Sequence, residues 1–243
     1  MTADIQVLSA NSSKRSSDSA LIHVSGLTYR YPKRGVVLDE VDFELYEGDC
    51  VGLTGPNGAG KTTFLELLVG LKKPKGGDIF AFGNQRKEEA DFVEVRAQAG
   101  FLFQDPDDQL FCPTVIEDVA FGPLNQGFRR DEAMVIAKDA LSKCGMDGYE
   151  DRVAYQLSGG EKRMVTLAAV LAMSPKVLLL DEPSNALDSK ARQRLISVLN
   201  ELPQAKIIIS HDQDLLDQLI NRTLLLEDAK LTETPQPTEA WLA

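Results

Sequence analysis

The segment Gly55-Pro56-Asn57-Gly58-Ala59-Gly60-Lys61-Thr62 follows an apolar stretch, Cys50 to Leu53, and precedes a run of helical character, Thr63 to Val69. A strand that ends in a glycine-rich turn and opens into a helix aims several backbone N–H groups at one point, and an anion belongs there. Gly55, Gly58 and Gly60 let the backbone curl close to phosphates with no Cβ in the way. Lys61 supplies a point charge for the β- and γ-phosphates, and Thr62 supplies a hydroxyl for Mg²⁺. Pro56, Asn57, Ala59 and Thr63 complete the segment expected to face the nucleotide.

A second chemical cluster lies downstream. Asp181-Glu182 closes the apolar run Val177 to Leu180, where an acid can complete the Mg²⁺ coordination that Thr62 begins. Glu182 would then stand beside the γ-phosphate as general base or polariser of the attacking water. His211, just past the run Ile207 to Ser210, is placed to donate a hydrogen bond to the γ-phosphate. Gln104, closing the stretch Ala99 to Phe103, occupies a similar position and could report metal and nucleotide occupancy to the segment that follows it. Leu157-Ser158-Gly159-Gly160-Glu161 is a second anion-binding helix start. Both surfaces could serve one nucleotide within a monomer, or two copies could close each other's phosphate loops; sequence spacing leaves both open.

These residues need a frame to meet. Two alternating runs between Leu21 and Leu45, separated by Tyr31 to Gly35, read as a hairpin or small antiparallel sheet. Pro74 to Gly77 turns the chain into short strands at Asp78 to Phe82 and Ala99 to Phe103. Asp131 is a candidate cap for a helix carrying Met134, Val135, Ala137 and Leu141, and Gly159 to Met173 reads as a second long helix. Together they suggest a helical insertion over about 105–173. The unbroken apolar runs before Asp181 and Ser210 mark strands buried on both faces of a parallel sheet, with Lys190 to Leu202 as the crossover helix. Ligands bind beyond the carboxyl ends of such strands, the edge holding Thr54, Asp181 and Ser210.

With 243 residues the chain is long enough for one large α/β domain. Residues 1–20 are serine-rich and polar, without the apolar centre of a secretory signal, and read as a flexible leader. The net charge of −11 argues against a protein whose main partner is nucleic acid. Three scattered cysteines, Cys50, Cys112 and Cys144, suggest neither a disulfide framework nor a zinc site and fit a reducing cytosol. No apolar run approaches the length of a membrane span.

The phosphate loop, Gln104, the Leu157 to Glu161 motif, Val177 to Glu182, Asn185-Ala-Leu-Asp188 and His211, in that order, resemble the ATPase subunit of ABC transporters. The resemblance implies a P-loop NTPase fold: a RecA-like parallel sheet, an N-terminal antiparallel β subdomain and an inserted helical subdomain within residues 21–243. It implies ATP and Mg²⁺ as cofactors, with Thr62, Asp181 and Gln104 at the metal and Glu182, His211 and Gln104 catalytic. It also implies a head-to-tail dimer, homo- or heteromeric, in which Ser158, Gly159 and Gly160 complete the partner's site and Asp188 bridges the interface. Tyr31 would stack on adenine, sheet packing being the other reading of the same residue. Two departures are mild: Glu161 stands where many relatives carry Gln, and Pro183-Ser-Asn-Ala-Leu-Asp188 lacks the commoner Thr.

The segments Asp105 to Phe111 and Pro113 to Pro123 are similar to the cobalt/nickel and vitamin uptake branch of the energy-coupling-factor type. That implies integral-membrane transporter subunits as partners, no nucleic acid, and a peripheral position on the cytoplasmic face of the cell membrane. Only residues 212–243 follow His211, so a dedicated C-terminal dimerisation or regulatory domain is not expected. A soluble ABC ATPase acting in DNA repair, translation or iron–sulfur assembly is the competing class; the chain has neither long coiled coils nor a second cassette. A small kinase or GTPase does not account for the Ser-Gly-Gly motif, and no guanine-recognition Asn-Lys-x-Asp is present.

Overall fold

The computed structural model describes residues 19–234; most of the expected leader over 1–20 lies outside the described residues. Two sheets share one core. The first is four-stranded and antiparallel, in the order β2-β1-β4-β5, from β1 (Ile22–Tyr31), β2 (Gly35–Leu45), β4 (Gly76–Ala81) and β5 (Asn84–Arg86). It is not purely N-terminal, because β4 and β5 return to it after the phosphate loop. The second is six-stranded, in the order β10-β9-β3-β8-β7-β6. It comprises β3 (Cys50–Thr54), β6 (Ala99–Leu102), β7 (Val177–Asp181), β8 (Ala205–Ile209), β9 (Arg222–Glu227) and β10 (Lys230–Thr234). Only β10 runs antiparallel to its neighbour; the other pairs are parallel.

Burial on both faces explains the unbroken apolar runs. Along β7, Val177 and Leu179 face the core shared with the antiparallel sheet and α1 (Lys61–Leu68). Leu178 and Leu180 face the opposite core. That second core is filled by α3 (Val115–Asn125), α4 (Arg130–Lys143), α5 (Gly159–Ala172), α6 (Ser189–Glu201) and α7 (Gln213–Leu219). The short α2 (Asp91–Gln98) leads into β6.

One local reading is corrected. Asp131 does not cap α4: the helix opens at Arg130, Arg129 is the cap residue, and the Glu132 carboxylate accepts its backbone N–H at 3.0 Å. A carboxylate three residues past the cap reaches back to that N–H; Asp131, one position inside the helix, pairs with the Arg129 guanidinium instead. Val115–Asn125 is helical although Pro123, in its last turn, has no N–H for the helical ladder; Pro123 is itself buried. A Cβ on Gly122 would lie 2.4 Å from the Met173 side chain, so glycine is what lets α3 approach this closely.

Strand register brings the chemistry to one edge. Leu53 of β3 and Asp181 of β7 are both level with Ile209 of β8, and Leu102 of β6 is level with Leu180. The residues that next leave the sheet are therefore the phosphate loop after Thr54, Phe103-Gln104, Glu182, and Ser210-His211. All lie beyond the carboxyl ends of parallel strands, where open α/β sheets bind ligands.

Candidate active site

At this edge opens a cleft of about 740 Å³, with Lys61, Thr62, Gln104, Asp181, Glu182 and His211 in its walls. The phosphate loop at its floor takes a shape that needs glycine. Gly55 adopts φ 135°, and a Cβ there would sit 2.1 Å from the Leu226 carbonyl oxygen. Gly60, the cap residue of α1, is left-handed at φ 113°, and no side chain caps the helix. The first backbone N–H groups of α1 therefore have no side-chain competitor for an anion.

Lys61 is 8 % exposed, and its Nζ donates to the carbonyls of Gly55 at 2.7 Å and Pro56 at 3.1 Å. Burial pulls its pKa down, with Glu182 and Asp181 opposing. The ammonium is thus held inside the loop by backbone carbonyls, placed for phosphate oxygens. Thr62 donates its hydroxyl to Asp181 Oδ2 at 2.7 Å. Burial pushes the Asp181 carboxyl up; the Thr62 hydrogen bond, Lys61 and Arg163 work against that.

Glu182 stands in a left-handed conformation, φ 48°, which costs a non-glycine residue about 1–3 kcal/mol and is concentrated at functional sites. Its backbone N–H donates to the Ile209 carbonyl at 2.9 Å, fixing the turn beyond β7. Its carboxylate accepts the His211 backbone N–H at 3.3 Å, and His211 Nε2 lies 3.3 Å from Glu182 Oε1 and 2.9 Å from Asn57 Oδ1. A chain Glu182–His211–Asn57 therefore joins the β7 end to the phosphate loop. Burial raises the Glu182 carboxyl, with His211 countering, so it is a better base than an ordinary glutamate when ionised.

The donors at the Thr62–Asp181 pair are a hydroxyl, a carboxylate and, from Gln104, an amide. Oxygens of this kind suit Mg²⁺, which keeps much of its shell as water and phosphate oxygen. Among the described residues no cluster of three or more His, Cys, Asp or Glu forms a full protein cage for a metal.

The second anion-binding motif is elsewhere. Ser158 and Gly160 do not line this cleft; Gly159 lines only an adjoining one, beside Gln104, Lys162 and Asn185. Ser158 caps α5: its hydroxyl accepts Glu161 N at 3.3 Å, and Glu161 Oε2 accepts Ser158 N at 2.8 Å and Ser158 Oγ at 2.9 Å. The capping box is reciprocal, and Tyr149 donates its hydroxyl to the other Glu161 oxygen at 2.6 Å. The departure at Glu161 thus has a structural use. Asp188 caps α6 by accepting Ala191 N at 2.7 Å while remaining at the surface.

Tyr31 is not in the cleft wall. Its hydroxyl bonds Oγ1 of Thr63, which does line the cleft, at 2.9 Å, and its ring packs edge-on to Tyr29. His23 is a sheet residue beside Glu44. Two participants escaped the sequence reading. Arg34, from the β1–β2 turn, lines the cleft with its guanidinium against the Gly58 carbonyl. Arg163, from α5, holds the Gln104 loop by its backbone. A cation in a turn at the mouth of a phosphate loop was a usable signal for the first; the second sat unremarked in an amphipathic helix.

Comparison with known proteins places this geometry. Residues 38–185 match the family described as ABC transporter. An ABC transporter ATP-binding protein of Brucella suis is 52% identical over 195 residues, covering 80% of this chain and 81% of that protein. The energy-coupling factor transporter ATP-binding protein EcfA of Methanothermobacter thermautotrophicus is 39% identical over 223 residues, covering 90% and 72%. Among solved structures, cbiO1 from Clostridium perfringens, part of the ABC transporter complex cbiONQ, superposes with a TM-score of 0.78 at 30% identity, covering 88% of this chain and 87% of that one.

Proposed function

The chain belongs to the ABC transporter family and is an ATP-binding, ATP-hydrolysing subunit, and from that premise we propose that two such subunits close head to tail around ATP to power an importer of the energy-coupling-factor type. The observation that carries this reading is the division of the site. One chain supplies the loop, the acids and His211 in its cleft, while Ser158 and Gly160 stand outside that cleft. A γ-phosphate bound by Lys61 of one copy and by the α5 start of another gives ATP a higher affinity for the closed state, which is what a ligand needs to drive a switch.

Within the cleft, Lys61 and the uncapped α1 start bind and orient the phosphates. Thr62, Asp181 and Gln104 are the residues that would hold Mg²⁺, whose charge neutralises the phosphate oxygens. Glu182 takes the proton of the attacking water, and His211, steadied by Asn57 and Glu182, donates to the terminal phosphate. Hydrolysis removes the bridging phosphate, and the copies part.

A membrane partner is supported by a groove of about 290 Å³ between the Gln104 loop and α3, whose lining includes Phe111 and Phe121, 65 % and 46 % exposed. Exposed aromatics in a groove mark interaction sites. No helix among the described residues is long and apolar enough to cross a membrane, so the transmembrane path would belong to other subunits at whose cytoplasmic face this chain docks. Cobalt, nickel or a vitamin is the cargo class that the resemblance of residues 105–123 suggests.

The dimer is tested with Glu182→Gln, which should bind ATP, turn over about 10²-fold or more slower, and accumulate dimers by light scattering. Adding Ser158→Glu should abolish those dimers while each monomer still binds ATP. Loss of monomer binding instead would put Ser158 in its own chain's site and overturn the head-to-tail arrangement. Affinity purification from solubilised membranes tests the partner: recovery without multi-spanning proteins would sink the transporter role.

A further inference from the structure

Arg163 lies in the first turns of α5 and is 2 % exposed, the largest of the fully buried side chains. Its guanidinium Nη1 donates to the Phe103 carbonyl at 2.5 Å and Nη2 donates to the Gln104 carbonyl. Its Nε has no protein partner. Burying a cation is expensive, and an apolar side chain would fill the same space at lower cost. The next residue, Met164, is such a filler in the same helix, 2 % exposed. An arginine used as two donors on the carbonyls that flank a cleft residue therefore serves placement better than packing.

Its surroundings agree. Lys162, its neighbour, pairs with Asp107 at 2.6 Å, four residues past Phe103. From the sheet side, Gln109 accepts Phe103 N at 2.9 Å and donates to the Phe101 carbonyl at 3.0 Å. The backbone of Gln104 is thus clamped between β6 and α5, while its side chain is free to face the cleft with Asp181 and Glu182. Ser158 is the cap residue of the same helix, five residues before Arg163.

We propose that Arg163 is a positioning residue that ties the backbone of Gln104 to the Ser158 end of α5, so that where α5 sits sets where the Gln104 amide meets the metal and terminal phosphate. The inference rests on the role given to Gln104 above. It makes one rigid unit of the α5 start and the Gln104 loop: engagement of Ser158 by a second copy's nucleotide moves Gln104 of its own chain.

The test is a double-mutant cycle on the full chain: Arg163→Met, Gln104→Ala and both, each measured for kcat, KM for ATP and Tm. A misplaced amide costs up to about 10²-fold in turnover, so Arg163→Met is expected to lower kcat about 10–100-fold with KM changed less than about 3-fold. The double variant should be no slower than Gln104→Ala alone. Arg163→Lys, which keeps the charge but serves one carbonyl, is the fallback if Met prevents folding, and should lose about 3–10-fold in kcat with the same non-additivity. Effects that multiply, or a lowered Tm with normal kcat in the folded fraction, overturn the inference while leaving the site as proposed. A Gln104→Ala protein with native kcat removes Gln104 from the proposed chemistry and the inference with it.

Discussion

Two helices of this chain start at anion-binding sequences, and their first turns are built in opposite ways. At α1 the cap position is a left-handed glycine, no side chain caps the helix, and a buried lysine is folded back into the loop. At α5 a serine and a glutamate close a complete capping box, with Tyr149 bracing the glutamate. The first end leaves its N–H groups to be satisfied by a ligand; the second closes two of its own, Ser158 N and Glu161 N, with side chains. An end built the first way is a committed cradle that binds in the isolated chain. An end built the second way is stable unliganded and is positioned to add to a phosphate already held elsewhere. The proposed head-to-tail dimer would use this contrast, one surface capturing ATP and the other meeting it.

The largest effect should come from breaking the committed end. Lys61→Ala removes a cation placed on the phosphates and frees the Gly55 and Pro56 carbonyls it organises. A charge-assisted hydrogen bond contributes about 1.5–3 kcal/mol, so ATP affinity should fall by about 10–100-fold, read by calorimetry on the isolated chain. The matching change at the other end, Ser158→Ala, should leave that binding intact. Native affinity in Lys61→Ala, or an equal loss in both, would erase the distinction between the two ends.

How much of this was readable beforehand follows the same division. The α1 loop announces itself because glycines, lysine and threonine must occupy fixed spacings to bind phosphate, and the parallel strands announce themselves because burial on both faces leaves unbroken apolar runs at Leu178 to Leu180 and Ile207 to Ile209. The position of Ser158 relative to the cleft depended on how α5 packs, which no local pattern states. Within α3 stands Gly122-Pro123, a pair that usually breaks helices and whose glycine here lets two helices touch. β9 is buried only at alternate residues, Leu224 and Leu226, and the edge strand β10 has no buried residue, a weaker signal than the central strands. Arg163 and Lys162 are the two cations of α5, and nothing local marks Arg163 as the buried one; its burial arises only when α5 meets the Gln104 loop.

The acids above the committed end sharpen the comparison through stability. Burial raises the pKa of both Asp181 and Glu182. A raised acid contributes stability that is present below its unfolded pKa and lost as pH rises through its folded value, so at neutral pH the ionised pair weighs on the empty fold. Asp181→Asn keeps an oxygen for the Thr62 hydroxyl and removes one charge. It should abolish turnover yet raise the Tm of the nucleotide-free chain by about 2–4 °C at pH 7, the scale of about 1 kcal/mol in a chain this long. The gain should shrink as the pH is lowered toward the raised carboxyl values. A variant less stable than the parent at pH 7, or a gain indifferent to pH, would mean that Thr62, Lys61 and Arg163 already compensate the buried charge in full.

The smallest effect tests the conditional end itself. The Glu161 carboxylate accepts both Ser158 groups and the Tyr149 hydroxyl, and its pKa is lowered, by the Tyr149 hydrogen bond first and the Ser158 backbone next. It is therefore an anion standing where a second copy's phosphate is expected to arrive. Glu161→Gln keeps the acceptor for Ser158 N and removes the charge. An anion at a helix start contributes about 0.3–1 kcal/mol, so the free chain should lose stability on that order. The same change should strengthen ATP-driven dimerisation in the Glu182→Gln background by a few-fold at low salt, and the gain should fade as salt screens it. Opposite signs in stability and dimerisation are what a competing cap requires. If both weaken together, Glu161 helps to present Ser158 rather than to guard it, and the two helix ends are less different than their first turns suggest.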